Sequence, residues 1–229
     1  MKYIMITFAI SLLVVSAHAG TYVETFDDGN FDGWEILNWT GGTSEWKVED
    51  GILIGSRPDA ASALLMFGEE EWRNYSIEFD ARMLERLSAN WHAIALDLRV
   101  SDVNHAKASC NSVYFSANGQ TIIWLYLGNR EVGRLAGKGF AFQSDRWYRI
   151  KGVADEDNFQ FYIDGELMVS LSDSRFPAGR VALDVNGSTV QFDNVVITGD
   201  DVPDSSNLSA VSYSGKLAVA WGQIRSQQD

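Results

Sequence analysis

From Tyr22 onward the chain is a succession of short segments in which apolar and polar residues alternate, each closed by a turn signal. The clearest span residues 52–54, 75–81, 92–100, 112–116, 121–127, 148–153, 159–163, 181–185 and 190–197. Between several of them stand Asp50-Gly51, Asn118-Gly119, Asp164-Gly165 and Asn186-Gly187, dipeptides that accept the positive φ angles of two-residue hairpins. A period of two buries one face of each strand, and roughly a dozen such strands without a long amphipathic helix predict an all-β chain. The expected fold class is a jelly-roll sandwich of two antiparallel sheets. Twelve Phe, eight Tyr and eight Trp beside twenty Gly and only three Pro suit strands joined by tight turns. Residues 82–88 admit either a helical turn or a loop between strands. At 229 residues the chain is long enough for one large core without a disulfide, and the single Cys110 cannot form an internal one.

The two ends read differently. Lys2 precedes an apolar run over residues 4–15, followed by Ala17-His18-Ala19, a small-x-small site that leaves Gly20 as the new N-terminus. The expected organisation is a signal peptide over 1–19, a sandwich over 20–199, and a linker with a short tail over 200–229. The leader implies a secreted or periplasmic protein, and no other run is long enough for a transmembrane anchor. In the tail, Leu217, Ala220, Trp221 and Ile224 have the spacing of a short amphipathic helix, a place for a protein partner or a loosely docked extension. A net charge of −13 opposes phosphate backbones, so nucleic acid is not an expected partner. With three His, one of them in the leader, zinc sites and Ser-His-Asp triads lack their residues. His92 falls on an apolar face and reads as a core histidine.

Splitting each strand into its two faces isolates a polar and aromatic set. Glu78, Asp80 and Arg82 oppose the apolar residues of their strand; Trp91, Asp97 and Arg99 do the same in the next. Tyr114 opposes Val113 and Phe115, while Trp124 and Tyr126 oppose Ile123, Leu125 and Leu127. If these strands share a sheet, its outer face gathers carboxylates, arginines and rings. Such a face suits a carbohydrate ligand, whose C–H side stacks on aromatic rings and whose hydroxyls pair with Arg and carboxylates. The alternative reading makes Asp80–Arg82 and Asp97–Arg99 solvated charge pairs. A further constellation, Asp28, Asn30 and Asp32 in D-x-N-x-D-G, resembles the first half of a calcium loop. Trp39 stands where an EF-hand needs its twelfth-position Glu, so the choice is between a shorter Ca2+ loop and a turn stabilised by its own backbone bonds.

The ordered fragments Phe26-Asp27-Asp28-Gly29 to Gly33-Trp34, Trp46 to Leu53, Trp147-Tyr148-Arg149-Ile150, Phe161 to Leu167, Gly179 to Leu183 and Phe192-Asp193-Asn194-Val195 carry a likeness. Together they resemble a concanavalin A-like lectin/glucanase domain, nearest to its 3-keto-disaccharide hydrolase and laminin-G-like branches, over about residues 21–198. The resemblance implies glycan binding on a concave sheet face, with glycosidic-bond hydrolysis or laminin-G-type protein interaction as alternatives. Family-sixteen glucanases of this superfamily carry Glu-x-Asp-x-x-Glu on a strand. Here Glu78 and Asp80 match its first two acids, so they are the catalytic candidates if the protein is an enzyme. Met83 occupies the third position, which removes the acid/base partner and favours non-catalytic recognition.

Overall fold

The structure, a computed structural model, describes residues 19–39, 41–89, 91–101, 109–116, 120–127, 130–140 and 142–205; for 109–114, 116, 120–127 and 130–136 it describes the backbone alone. These residues form thirteen strands and no α-helix. The first four are β1 (Gly20–Glu24), β2 (Glu35–Asn38), β3 (Glu45–Glu49) and β4 (Ile52–Phe67). Then come β5 (Tyr75–Arg86), β6 (Ala93–Ser101), β7 (Ser109–Ser116), β8 (Gln120–Leu127) and β9 (Arg130–Gly139). The last are β10 (Tyr148–Asp155), β11 (Asn158–Ile163), β12 (Glu166–Ser172) and β13 (Arg180–Gly199). Residues 82–86 thus continue β5 rather than turning as a helix.

Every strand pairing is antiparallel, and two long strands carry the architecture. Along one edge β13 pairs with β4 from Val181 to Phe192. Along its other edge it pairs first with β6 and then with β5. The chain therefore makes two layers that share β4 and β13. The first runs β2-β4-β13-β6-β7-β8-β9 and the second runs β3-β4-β13-β5-β10-β11-β12, with β1 on the end of β13. The layers pack face to face. A methyl group added to Gly152 on β10 would lie 2.6 Å from the Leu96 side chain on β6, so glycine here permits the close approach.

Apolar alternation places the core. Tyr75, Ile77, Phe79, Ala81 and Met83 of β5 are buried and face Ile94, Leu96 and Leu98 of β6. In β13 the inward set begins as Val181, Leu183 and Val185, shifts to Val190 and Phe192, and shifts again to Val195 and Ile197. Each change of parity falls at a break in register, after Asn186 and after Asp193. A bulge inserts one residue, so the next apolar residues again point inward. Asn186-Gly187 is consequently a bulge inside one strand and not the expected hairpin. Gly187 has φ +56°, and a Cβ there would lie 2.2 Å from the Trp91 carbonyl oxygen. The other described dipeptides behave as expected: Asp50-Gly51 joins β3 to β4 and Asp164-Gly165 joins β11 to β12, all four with positive φ. Asn118-Gly119 lies outside the described residues, as do the leader over 1–18 and the tail over 206–229.

The start of the expected linker packs onto the sandwich. Val202 is buried in the core, and the Ser205 hydroxyl accepts the Val23 N–H at 2.9 Å and donates to the Thr21 carbonyl at 3.2 Å.

Candidate functional site

The residue types that make strands leave little polar surface inside, so a carboxylate on a wholly buried strand demands a reason. Two occur side by side on the outer face of the first layer. Asp97 on β6 pairs with Ala182, and Asp184 on β13 pairs with Ala95, so the two are diagonal neighbours across adjacent strands. Side chains so related have Cβ atoms within roughly 7–8 Å. Both are fully buried. Asp184 accepts the Ala63 N–H at 3.1 Å and a hydrogen bond from Ser62, while its Oδ2 has no hydrogen-bond partner. Asn186, two residues further on the same face, donates to Ser62 Oγ at 3.2 Å, and its Oδ1 also has none. Burial and the negative Asp97 push the Asp184 carboxyl well above the ordinary aspartate value. Ser62, the Ala63 N–H and Arg57 pull it back only in part.

Around this row lie a cation and two indoles. Arg57, just before the point where β4 leaves β13, bonds Asp59 through Nε and Nη2, Asn38 Oδ1 through Nη1 at 3.0 Å, and the Gly41 carbonyl through Nη2 at 2.7 Å. Trp39 packs with Leu64, Met66, Val100 and Ala182, and Trp91 packs against Ala93 and Ala95. Small residues on β6 and β13 thus floor a face whose polar centre is the carboxylate pair.

The predicted set divides between the two layers. Asp97 and Trp91 belong to the face just described. The side chains of Tyr114, Trp124 and Tyr126 lie outside the described residues. Their backbone register opposes Tyr114 to Ala95, Trp124 to Ser112 (itself opposite Asp97), and Tyr126 to Cys110. Glu78, Asp80 and Arg82 sit instead on the outer face of the second layer. There Arg149 forks between Glu78 (2.8 Å) and Asp80 (3.2 Å) and reaches the Asn194 carbonyl at 3.0 Å. Asn194 Nδ2 donates to Asp80 Oδ2 at 2.8 Å. Arg82 donates to Gln191 and lies 4.8 Å above the Trp147 ring.

Arg99 departs from the alternation that grouped it with Asp97. With φ +55° it sits at a break in the β6–β7 register, and its buried guanidinium donates to the Arg73 and Phe176 carbonyls over the Phe159 ring. It clamps loops rather than joining a binding face, and the break also moves Val100 to the outer cluster. His92 is buried, with Nδ1 3.1 Å from the Ser88 carbonyl oxygen.

Asp28, Asn30 and Asp32 lie on the exposed loop after β1, where side chains cap the backbone: the Asn30 N–H donates to Asp28 Oδ1 at 3.2 Å and the Asp32 N–H to Asn30 Oδ1 at 2.8 Å. Among the described residues no group of three His, Cys, Asp or Glu is placed to hold a metal ion. No described helix is long and apolar enough to cross a membrane.

Sequence reasoning missed Asp184, Asn186, Ser62 and Trp39. A signal for the first two was present: Val181-Ala-Leu-Asp-Val-Asn places acid and amide on one face of a strand whose other face is core.

This architecture is that of the lectin-like β-sandwiches. It is similar to the carbohydrate-binding module CBM66 from Bacillus subtilis (TM-score 0.58, 22% identity, 72% of this chain and 95% of that one). It is also similar to the carbohydrate recognition domain of Emp47p (TM-score 0.57, 10% identity, covering 80% and 96%). A native glycosidic hydrolase shares the fold as well (TM-score 0.53, 12% identity, covering 80% and 97%). A comparison with curated protein sequences finds no significant match. The chain belongs to the 3-keto-alpha-glucoside-1,2-lyase-like domain family, whose profile matches residues 21–198.

Proposed function

We propose that this protein binds a carbohydrate on the outer face of the first layer, with Asp97, Asp184 and Asn186 taking hydrogen bonds from sugar hydroxyls. The observation that carries the reading is the pair of buried acceptors without donors, Asp184 Oδ2 and Asn186 Oδ1. A buried polar atom left unpaired costs about 1–3 kcal/mol, and a row of them suits a ligand that brings donors. Trp91, half-buried at the border, offers apolar surface to a pyranose, and the buried Trp39 backs the face from below. The fold likeness to carbohydrate-binding domains supports the same reading.

A second reading has its own support. A carboxyl raised by burial beside a second carboxyl is the arrangement that glycosidic-bond cleavage draws on, and Asp184 beside Asp97 has that character. Under it Asp184 is the proton donor and Asp97 the base or nucleophile, a role the half-buried Glu78–Asp80 pair meets less well because Arg149 neutralises both.

Affinity electrophoresis through gels containing single polysaccharides tests binding, with Asp184→Asn and Trp124→Ala run alongside. Retardation of the wild-type chain that weakens in Asp184→Asn is the expected result. Retardation equal in all three proteins would remove this face from consideration. Release of reducing ends from the retarding polymer, abolished in Asp184→Asn, would promote the second reading.

The proposal includes export. The leader-like run ends at Ala19 and β1 begins at Gly20, which pairs with Gly199, so cleavage there leaves the first strand whole. The N-terminal mass of protein recovered outside the cytoplasm checks this.

A further inference from the structure

We infer that the Asp97–Asp184 pair holds a proton in the ligand-free protein and releases it on binding, so that the face takes its ligand more tightly as pH rises. The inference rests on the carbohydrate-binding reading above and concerns its regulation. Geometry is the starting point. Both side chains are wholly buried on diagonal positions of β6 and β13, and the residues paired with them are Ala182 and Ala95. Two carboxylates in such a place repel each other with little help from water, and one retained proton relieves them. That proton belongs to the pair as a unit. Beside it Asn186 is buried too, with its nitrogen directed to Ser62 and its Oδ1, like Asp184 Oδ2, without a hydrogen-bond partner.

The surrounding charges do not remove the need for the proton. From β4 comes Arg57, whose guanidinium is already directed to Asp59, Asn38 and the Gly41 carbonyl. Ser62, Ala63 and Leu64, paired with this stretch of β13, carry no charge. From β6 comes Asp97 itself. Arg180, at the start of β13, bonds Glu35 of β2 at 2.6 Å. On β7 the residues opposite Ala95 and Asp97 are Tyr114 and Ser112, whose side chains lie outside the described residues. Burial and Asp97 accordingly hold the Asp184 carboxyl well above the ordinary aspartate value.

A ligand changes this balance at two atoms. Hydroxyl donors aimed at Asp184 Oδ2 and Asn186 Oδ1 supply what both lack, and a hydrogen bond to the charged form of a carboxyl favours that form. An Oδ2 that carries the acid proton is a poor acceptor, so proton and ligand hydroxyl compete for it. The ligand-bound pair therefore ionises at lower pH than the free pair. Between those two values the complex holds fewer protons, and affinity rises with pH by at most about tenfold per unit for one proton. Outside that window it is flat. Because the row is buried in the ligand-free protein, binding also requires local opening of this face.

Affinity electrophoresis at pH 5, 6, 7 and 8 through laminarin, mannan, levan, xylan and polygalacturonate selects a retarding polymer. Calorimetry with that polymer is then run in phosphate and in Tris at equal pH and ionic strength. Tris takes up a released proton with much the larger heat, so the difference in enthalpy counts protons. The expected result is release of up to one proton and an affinity that grows from pH 5 to pH 8. In Asp184→Asn binding should be weaker, release should vanish and the pH dependence should go with it. Equal heats in the two buffers with pH-independent affinity, or affinity that falls as pH rises, would overturn the inference and leave carbohydrate binding intact. Release undiminished in Asp184→Asn would place the proton elsewhere and overturn it equally. Retardation by none of the polymers, or retardation that Asp184→Asn leaves unchanged, would overturn the underlying reading. Thermal melting of the variant at pH 5 separates lost binding from lost fold, and the wild-type comparison between buffers decides without any variant.

Discussion

Asp184→Asn replaces a buried carboxyl by a neutral group of the same shape, and its effect on stability should depend on pH in a defined direction. In the folded protein burial and Asp97 hold the Asp184 carboxyl well above its ordinary value; in the unfolded chain it titrates near 3.9. Between those two values the native state holds more protons than the unfolded state, so stability falls as pH rises. Below the unfolded value the group is protonated in both states and contributes no pH dependence; above the folded value the whole penalty is present and constant. The slope inside the window is at most about 1.4 kcal/mol per pH unit. For a chain of this size that corresponds to about 3–5 °C of melting temperature per unit. Glu24, which burial also raises, is present in both proteins and cancels in the difference. Scanning calorimetry of wild type and Asp184→Asn from pH 4 to pH 8 at constant ionic strength should give near-equal melting temperatures at the acid end. The variant should become progressively more stable toward pH 8. Asp97→Asn should shorten the window without closing it, because burial is the larger cause. Parallel curves for wild type and Asp184→Asn, or a variant whose disadvantage grows with pH, would refute the assignment of a raised carboxyl at this position.

Three further outcomes follow from other parts of the molecule. Gly187→Ala places a methyl group against the Trp91 carbonyl at a positive φ; urea denaturation should show a loss of about 1–3 kcal/mol or more. Arg149→Met breaks the fork to Glu78 and Asp80 on a partly exposed face; it should cost about 0–1 kcal/mol and leave retardation by polysaccharides unchanged. Calcium added to chelator-treated protein should leave the melting temperature unmoved, since Asp28 and Asn30 already accept N–H groups of their own loop. A rise of several degrees would assign the ion to that loop.

Much of the architecture was legible because it is local. Alternation in 75–81 marks Tyr75, Ile77, Phe79 and Ala81 as core from neighbouring residues alone, and all four are buried. Asp50-Gly51 and Asp164-Gly165 specify hairpins through their own φ preferences, and both are found as such. The acidic stretch at 155–158 is a two-residue hairpin tip, with Asp155 paired to Asn158.

The site was legible only in part, because facing pairs are a property of strand order. Alternation correctly turned Asp97 away from Leu96 and Leu98, and it turned Glu78 and Asp80 away from Phe79. It carried no information that β5 and β6 lie in different layers, divided by β13. That division depends on Asn186-Gly187, whose local chemistry favours a hairpin. Packing of Val185 before it and Val190 after it into the same core overrides the preference, and the dipeptide becomes a bulge. Arg99 follows the same rule: its period places it beside Asp97, and the register break with its loop carbonyls takes it elsewhere. The sequence by itself determined the core face of strands such as β5, where a period of two acts within a few residues. The tertiary structure alone decided that Asp97 meets Asp184, because the two are 87 positions apart and become neighbours only when β13 returns to pair with β6.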